Sequence, residues 1–149
     1  MQPLMMKRSN KGGNEMSSKY TYAAQTDQSV PEAVDAVKKS LKEHGFGTLW
    51  EMNVPAKLQE KGVDYHQEAV ILEVCNPKQA KRALEANLQA IYFLPCKVVV
   101  YDDAGRTTVG MMLPSLMMEA LQDPNLKAFI HEVGDALHKS IDLAVTDNA

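Results

Sequence analysis

Cysteine is scarce in this chain, with two residues, Cys75 and Cys96, among 149. Two thiols do not build a disulfide framework, so the expected setting is cytoplasmic, with both kept reduced. Long apolar runs are missing as well. No stretch approaches the roughly 18 consecutive apolar residues that span a bilayer, and residues 1–18 lack the apolar segment of a secretory signal. Charge of one sign is not in surplus either. The net charge is -3 and the 16 Lys and Arg residues are scattered, which argues against nucleic acid and membrane surfaces as partners. The spacings CxxC, HxH and HExxH are absent, as are GxGxxG and GxxxxGK[ST]. No metal or cofactor is therefore expected.

What is present is enough apolar material, 45% of the residues, to close one core in a chain of this length. A single domain over residues 19–145 follows. Residues 1–18 contain Pro3, Gly12 and Gly13 and show no period of 2 or 3.6, so they are expected to form a disordered tail. Met16 is a candidate translation start, which would make the first fifteen residues an upstream extension.

The pattern predicts a short strand over residues 19–25. A helix over about 30–44 follows, opened by the capping box Ser29 and Glu32 and striped by Val30, Val34, Val37 and Leu41. Gly45 supplies its left-handed exit. A strand over 46–54, a short helix over 56–61 and an apolar strand over 68–75 come next. Asn76 and Pro77 then cap and open a helix reaching about residue 87. Strands over 97–101 and 107–113 flank a hairpin turn at 102–105. After Pro114 a short helix runs to about Leu121. Asp123 and Pro124 open a longer one, with Leu126, Phe129, Ile130, Val133, Leu137 and Ile141 as its apolar stripe.

The resulting order, β-α-β-(α)-β-α-β-β-α-α, predicts an α+β fold with helices on one face of a largely antiparallel sheet. Trp50, Met52, Met111 and Met112 fall on strands and would give the other face an apolar surface suited to a homodimer, or else complete the monomer's own core.

The stretch VILEVCNPKQAKRALEANLQAIYFLPCKVVVYDD resembles the bacterial and archaeal domain of unknown function 302 (DUF302, TT1751-like). The shared elements are Cys75-Asn76-Pro77, the alanine-rich helix with Ala80, Ala83 and Leu84, and Leu94-Pro95-Cys96. The similarity runs from about Tyr20 to Ala144. It implies a small α+β domain, often dimeric, with no established activity. Where the family's hairpin usually ends in an acid followed by proline, this chain has Leu113-Pro114, which puts in doubt any ligand role of that acid here.

The candidate ligand-binding residues are Cys75, Asn76, Cys96, His66 and Glu68. Cys75 precedes the N-cap of a helix, where the dipole favours an anion and a reactive thiolate; the competing reading is a cysteine packed as a small hydrophobe. Contact between Cys75 and Cys96 depends on strand direction, since a parallel crossover would leave them roughly 15–20 Å apart. His66 and Glu68, two apart, would face one side of a strand. His131 and His138 share a side of one helix, too far apart to chelate one ion together. Copper held by the cysteines with Met111, Met112, Met117 or Met118 is weighed against methionine as packing. A basic patch, Lys78, Lys81 and Arg82, is read as a solvated helix face. The expected function is a homodimeric domain that binds a small ligand or protein partner near Cys75 and Cys96, without classical catalysis. The alternatives are a thiol redox enzyme or sensor using Cys75 and a structural interaction module.

Overall fold

The computed structural model describes residues 18–146; the expected tail up to residue 17 and the Met16 start lie outside them. Five strands, β1 (Thr21–Thr26), β2 (Gly47–Asn53), β3 (Ala69–Cys75), β4 (Cys96–Asp103) and β5 (Arg106–Met112), form one sheet in the order β1-β5-β4-β3-β2. Every neighbouring pair is antiparallel. The helices are α1 (Val30–Glu43), α2 (Val54–Glu60), α3 (Pro77–Ala86), α4 (Ser115–Leu121) and α5 (Lys127–Thr146). The chain is thus α+β, as its element order implies.

Local chemistry sets the boundaries. Ser29 accepts from the Glu32 N–H while the Glu32 carboxylate accepts from the Ser29 N–H, so the capping box forms in full. Gly45 leaves α1 at φ +90, a conformation that L side chains rarely adopt. A Cβ there would also come within 3.0 Å of the Asn76 amide. The β4–β5 turn narrows to Ala104-Gly105, both at positive φ, and the Asp102 carboxylate accepts from the Gly105 N–H. Leu88–Phe93, read as a connection, forms a 3-10 turn.

The core lies between the sheet and the helix layer. Val70, Leu72 and Val74 of β3 and Val98 and Val100 of β4 project into it at alternate positions, meeting Val37 and Leu41 of α1 and Val133, Leu137 and Ile141 of α5. The two long helices are joined by a buried bond from the Ser40 hydroxyl to the Ser140 carbonyl, 2.7 Å. The other sheet face carries an apolar row, Met52, Ile71, Val99, Gly110 and Ala23, each opposite the next across the strands. Trp50 and Met112 are exposed beside it. Met111 does not join them. It pairs with Val98 and is buried in the helix-side core, because alternation turns it to the opposite face from Met112.

Candidate functional site

Both cysteines come to one end of the sheet. β3 stops at Cys75 because Asn76 caps α3, accepting from the Gln79 N–H at 3.2 Å, with Pro77 in the first turn. The chain returns through α3 and the 3-10 turn, whose cap Asn87 accepts from the Gln89 N–H and donates to Asp123 at 2.9 Å. β4 then starts at Cys96 after a cis Leu94–Pro95 bond. Since β3 and β4 are antiparallel and Val74 lies opposite Cys96, the two cysteines occupy adjacent rungs. No parallel crossover separates them.

A cavity of about 290 Å³ opens at this end. Its walls are largely apolar: Phe93 and Leu94 from the 3-10 turn, Leu113 and Met117 around α4, Phe129 from α5, and Cys96. Leu113, just before Pro114, contributes an apolar face to this wall. The charged groups are an ion pair between Lys97 and Glu73, 2.6 Å, on neighbouring strands. A smaller void behind Cys96 is bounded by Phe46, Cys75, Asn76, Leu94, Phe129 and Val133.

Both thiols are free. Burial pushes the Cys75 thiol up, and Cys96, the deeper of the two, up to about 12, first through burial and then through the negative charges that Cys75 and Glu73 would present. The stabilised thiolate expected at the α3 N-terminus is therefore not favoured, because desolvation outweighs the helix dipole. The patch around Lys81 and Arg82 is neutralised by Glu85 and Glu132.

His66 and Glu68 are not brought to this site. They precede β3 at its opposite end, roughly 20 Å away along a seven-residue strand. His66 is exposed and pairs with Asp64 at 2.5 Å, with Gln59 at its other ring nitrogen, and not with Glu68. Glu68 borders a separate shallow pocket with Asp35 and Glu51. The five candidates divide into Cys75, Asn76 and Cys96 at one end of β3 and His66 and Glu68 at the other. Among the described residues, no three His, Cys, Asp or Glu side chains converge as a metal site.

One cluster had only a faint sequence signal, the i,i+4 spacing of His138 and Asp142. Asp142 accepts from the Tyr22 hydroxyl and pairs with His138 Nδ1 at 3.2 Å, while the Tyr22 and His138 rings stack at 3.9 Å. Tyr22 is held well above the usual phenol range by burial, then by the hydrogen bond to Asp142 and its charge.

Fold and site together define a small two-layer α+β domain with an apolar cavity at one end of an antiparallel sheet. The chain belongs to the family described as Domain of unknown function DUF302, whose sequence model matches residues 22–144. It is similar to the crystal structure of the uncharacterized conserved protein DUF302 from Bacillus stearothermophilus, with a TM-score of 0.81 and 40% identity, over 85% of this chain and 99% of that one. Among curated proteins, none matches the chain. No helix among the described residues is long and apolar enough to cross a membrane.

Proposed function

We propose that this domain binds a small, largely apolar molecule in the cavity at the Cys96 end of the sheet. The carrying observation is the cavity itself: about 290 Å³ of space walled by Phe93, Leu113, Met117 and Phe129, with the Lys97–Glu73 pair as its charged feature. Ligand sites combine an apolar body with a few placed polar groups in this way. Raised thiol pKa values favour binding over thiol chemistry. The test uses the anionic fluorophore anilinonaphthalene sulfonate. Wild-type protein is expected to enhance its emission, and Leu116→Trp, which fills the cavity from α4, to abolish the enhancement while preserving the circular dichroism spectrum. Equal enhancement by both proteins would remove the cavity from consideration.

The apolar row on the sheet face turned away from α1 and α5 supports a second reading, a homodimer built by a second copy on that face. Ile71 and Val99 stand at its centre, and the neighbouring Glu73 and Lys97 cancel in charge, so a two-fold-related copy meets no net repulsion. Sedimentation should report a dimer for the wild type and a monomer for Ile71→Glu, and the emission of Trp50, the only tryptophan, should shift to the red in that variant. A wild type that sediments as a monomer throughout the micromolar range would end this reading.

A further inference from the structure

The cavity and the sheet face turned away from α1 and α5 share a border. One row across that face runs Trp50, Glu73, Lys97, Met112: Trp50 lies opposite Glu73, Glu73 opposite Lys97, and Met112, one residue past the Val98–Met111 pair, falls beside Lys97. The next row is Met52, Ile71, Val99 and Gly110. Glu73, Lys97 and Met112 also line the cavity, so its rim is part of this face. In a single copy this border is open, with Trp50 49% and Met112 47% exposed.

The two rows are self-complementary about a two-fold axis that runs along the strands between β3 and β4. Such an axis sets β3 of one copy over β4 of the other, and β2 over β5. Glu73 then faces the partner's Lys97, so opposite charges meet across the interface as they do within each copy. Ile71 faces the partner's Val99, and Met52 faces the partner's Gly110, where no side chain stands in its way. Trp50 faces the partner's Met112. Packed sheets cross at about 30°, which moves β2 and β5 by roughly one residue and leaves side chains as long as Trp and Met within reach of each other.

We infer that a second copy of this chain completes the cavity: Trp50 of the partner subunit seats on Met112 and covers the rim, so that ligand binding and dimerisation are linked. Both readings above, the apolar cavity and the second copy on the sheet face, underlie this coupling. A molecule in the cavity then touches two chains. By linkage, whatever fills the cavity tightens the dimer, and dilution to the monomer weakens its binding.

Two defective full-length proteins test it together, with anilinonaphthalene sulfonate as the probe. Leu116→Trp has a filled cavity and an intact Trp50; Trp50→Ala has an open cavity and no indole to offer its partner. Alone, Leu116→Trp is expected not to bind the probe, and Trp50→Ala to bind it about 10-fold more weakly than the wild type. Mixed, they form heterodimers that pair the open cavity of one chain with the Trp50 of the other, and wild-type affinity is expected to return at those sites. A mixture no better than Trp50→Ala alone, with that variant sedimenting as a dimer, overturns the coupling. If Trp50→Ala is a monomer, dilution of the wild type decides: the probe should bind the dimer about 10-fold more tightly than the monomer, and equal affinity on both sides of the dissociation midpoint overturns it. The failures are distinguishable. Equal probe binding by Leu116→Trp and the wild type removes the cavity, and a wild type that is monomeric throughout the micromolar range removes the second copy; either also ends the coupling. A dimer that binds the probe in the cavity and gains nothing from the partner's Trp50 removes the coupling alone.

Discussion

Phe129→Ala is expected to destabilise the domain by about 3–5 kcal/mol, the usual cost of deleting a buried aromatic ring. In calorimetry this corresponds to a fall in Tm of roughly 10–15 °C for a domain of this size. Phe129 is 3% exposed, belongs to the inward stripe of α5, and walls both the larger cavity and the void behind Cys96. Its ring is thus a partition as well as core. Removal joins the two spaces, and the surrounding residues cannot collapse into the gap, because the sheet on one side and α3 on the other are fixed by their own hydrogen bonds. Phe129→Leu, which keeps most of the volume, should cost under about 1.5 kcal/mol. A loss below about 1 kcal/mol for the alanine variant would show that the ring does not pack against the sheet end as described.

The parts of this fold that could be read in the sequence are those governed by short-range chemistry. Ser29 with Glu32, Asn76 with Pro77, and the 102–105 turn each name a local conformation, and each forms at that place. The α5 stripe was legible because 3.6-residue spacing leaves few alternatives: Leu126, Phe129, Val133, Leu137 and Ile141 are all buried. The resemblance carried by Cys75-Asn76-Pro77 and Leu94-Pro95-Cys96 pointed to the family that the chain belongs to. Facing of side chains in the sheet was less legible. Met111 and Met112 are consecutive, so one must face the helices and the other away, yet which is which depends on the pairing with β4 and not on either residue.

The candidate site was legible only in part, for a similar reason. That Cys75 and Cys96 come to the same end of the sheet follows from the antiparallel β3–β4 pairing, a long-range fact that motif spacing does not encode. His66 and Glu68 looked equally polar and equally close to a strand, but they sit at its other end. Leu113, Met117 and Phe129 carry no chemical signal at all, since an apolar cavity wall and an apolar core have the same composition. The thiolate expectation erred in magnitude. A helix N-terminus supplies at most about 1–2 kcal/mol toward an anion, and desolvation of Cys75 acts in the opposite direction and raises its thiol.

That balance gives the second large expectation, a loss of stability in alkali that depends on one sulfur. The Cys96 thiol is raised from 9.0 to about 12, so the folded state favours its protonated form. A group raised in this sense contributes its full stability below the unfolded value near 9 and loses it as pH climbs toward 12. By pH 11 the loss is about 3 kcal/mol. Tyr22 acts in the same direction from above pH 10, since burial and Asp142 hold its phenol protonated. Urea unfolding of the wild type and Cys96→Val at pH 8 and pH 11 isolates the sulfur. The Tyr22 contribution is common to both proteins and cancels, and the difference in unfolding free energy should move by about 3 kcal/mol in favour of the variant at the higher pH. If the two proteins instead lose stability in parallel, Cys96 titrates as an exposed thiol does. The wall between cavity and void would then be open to water at that position.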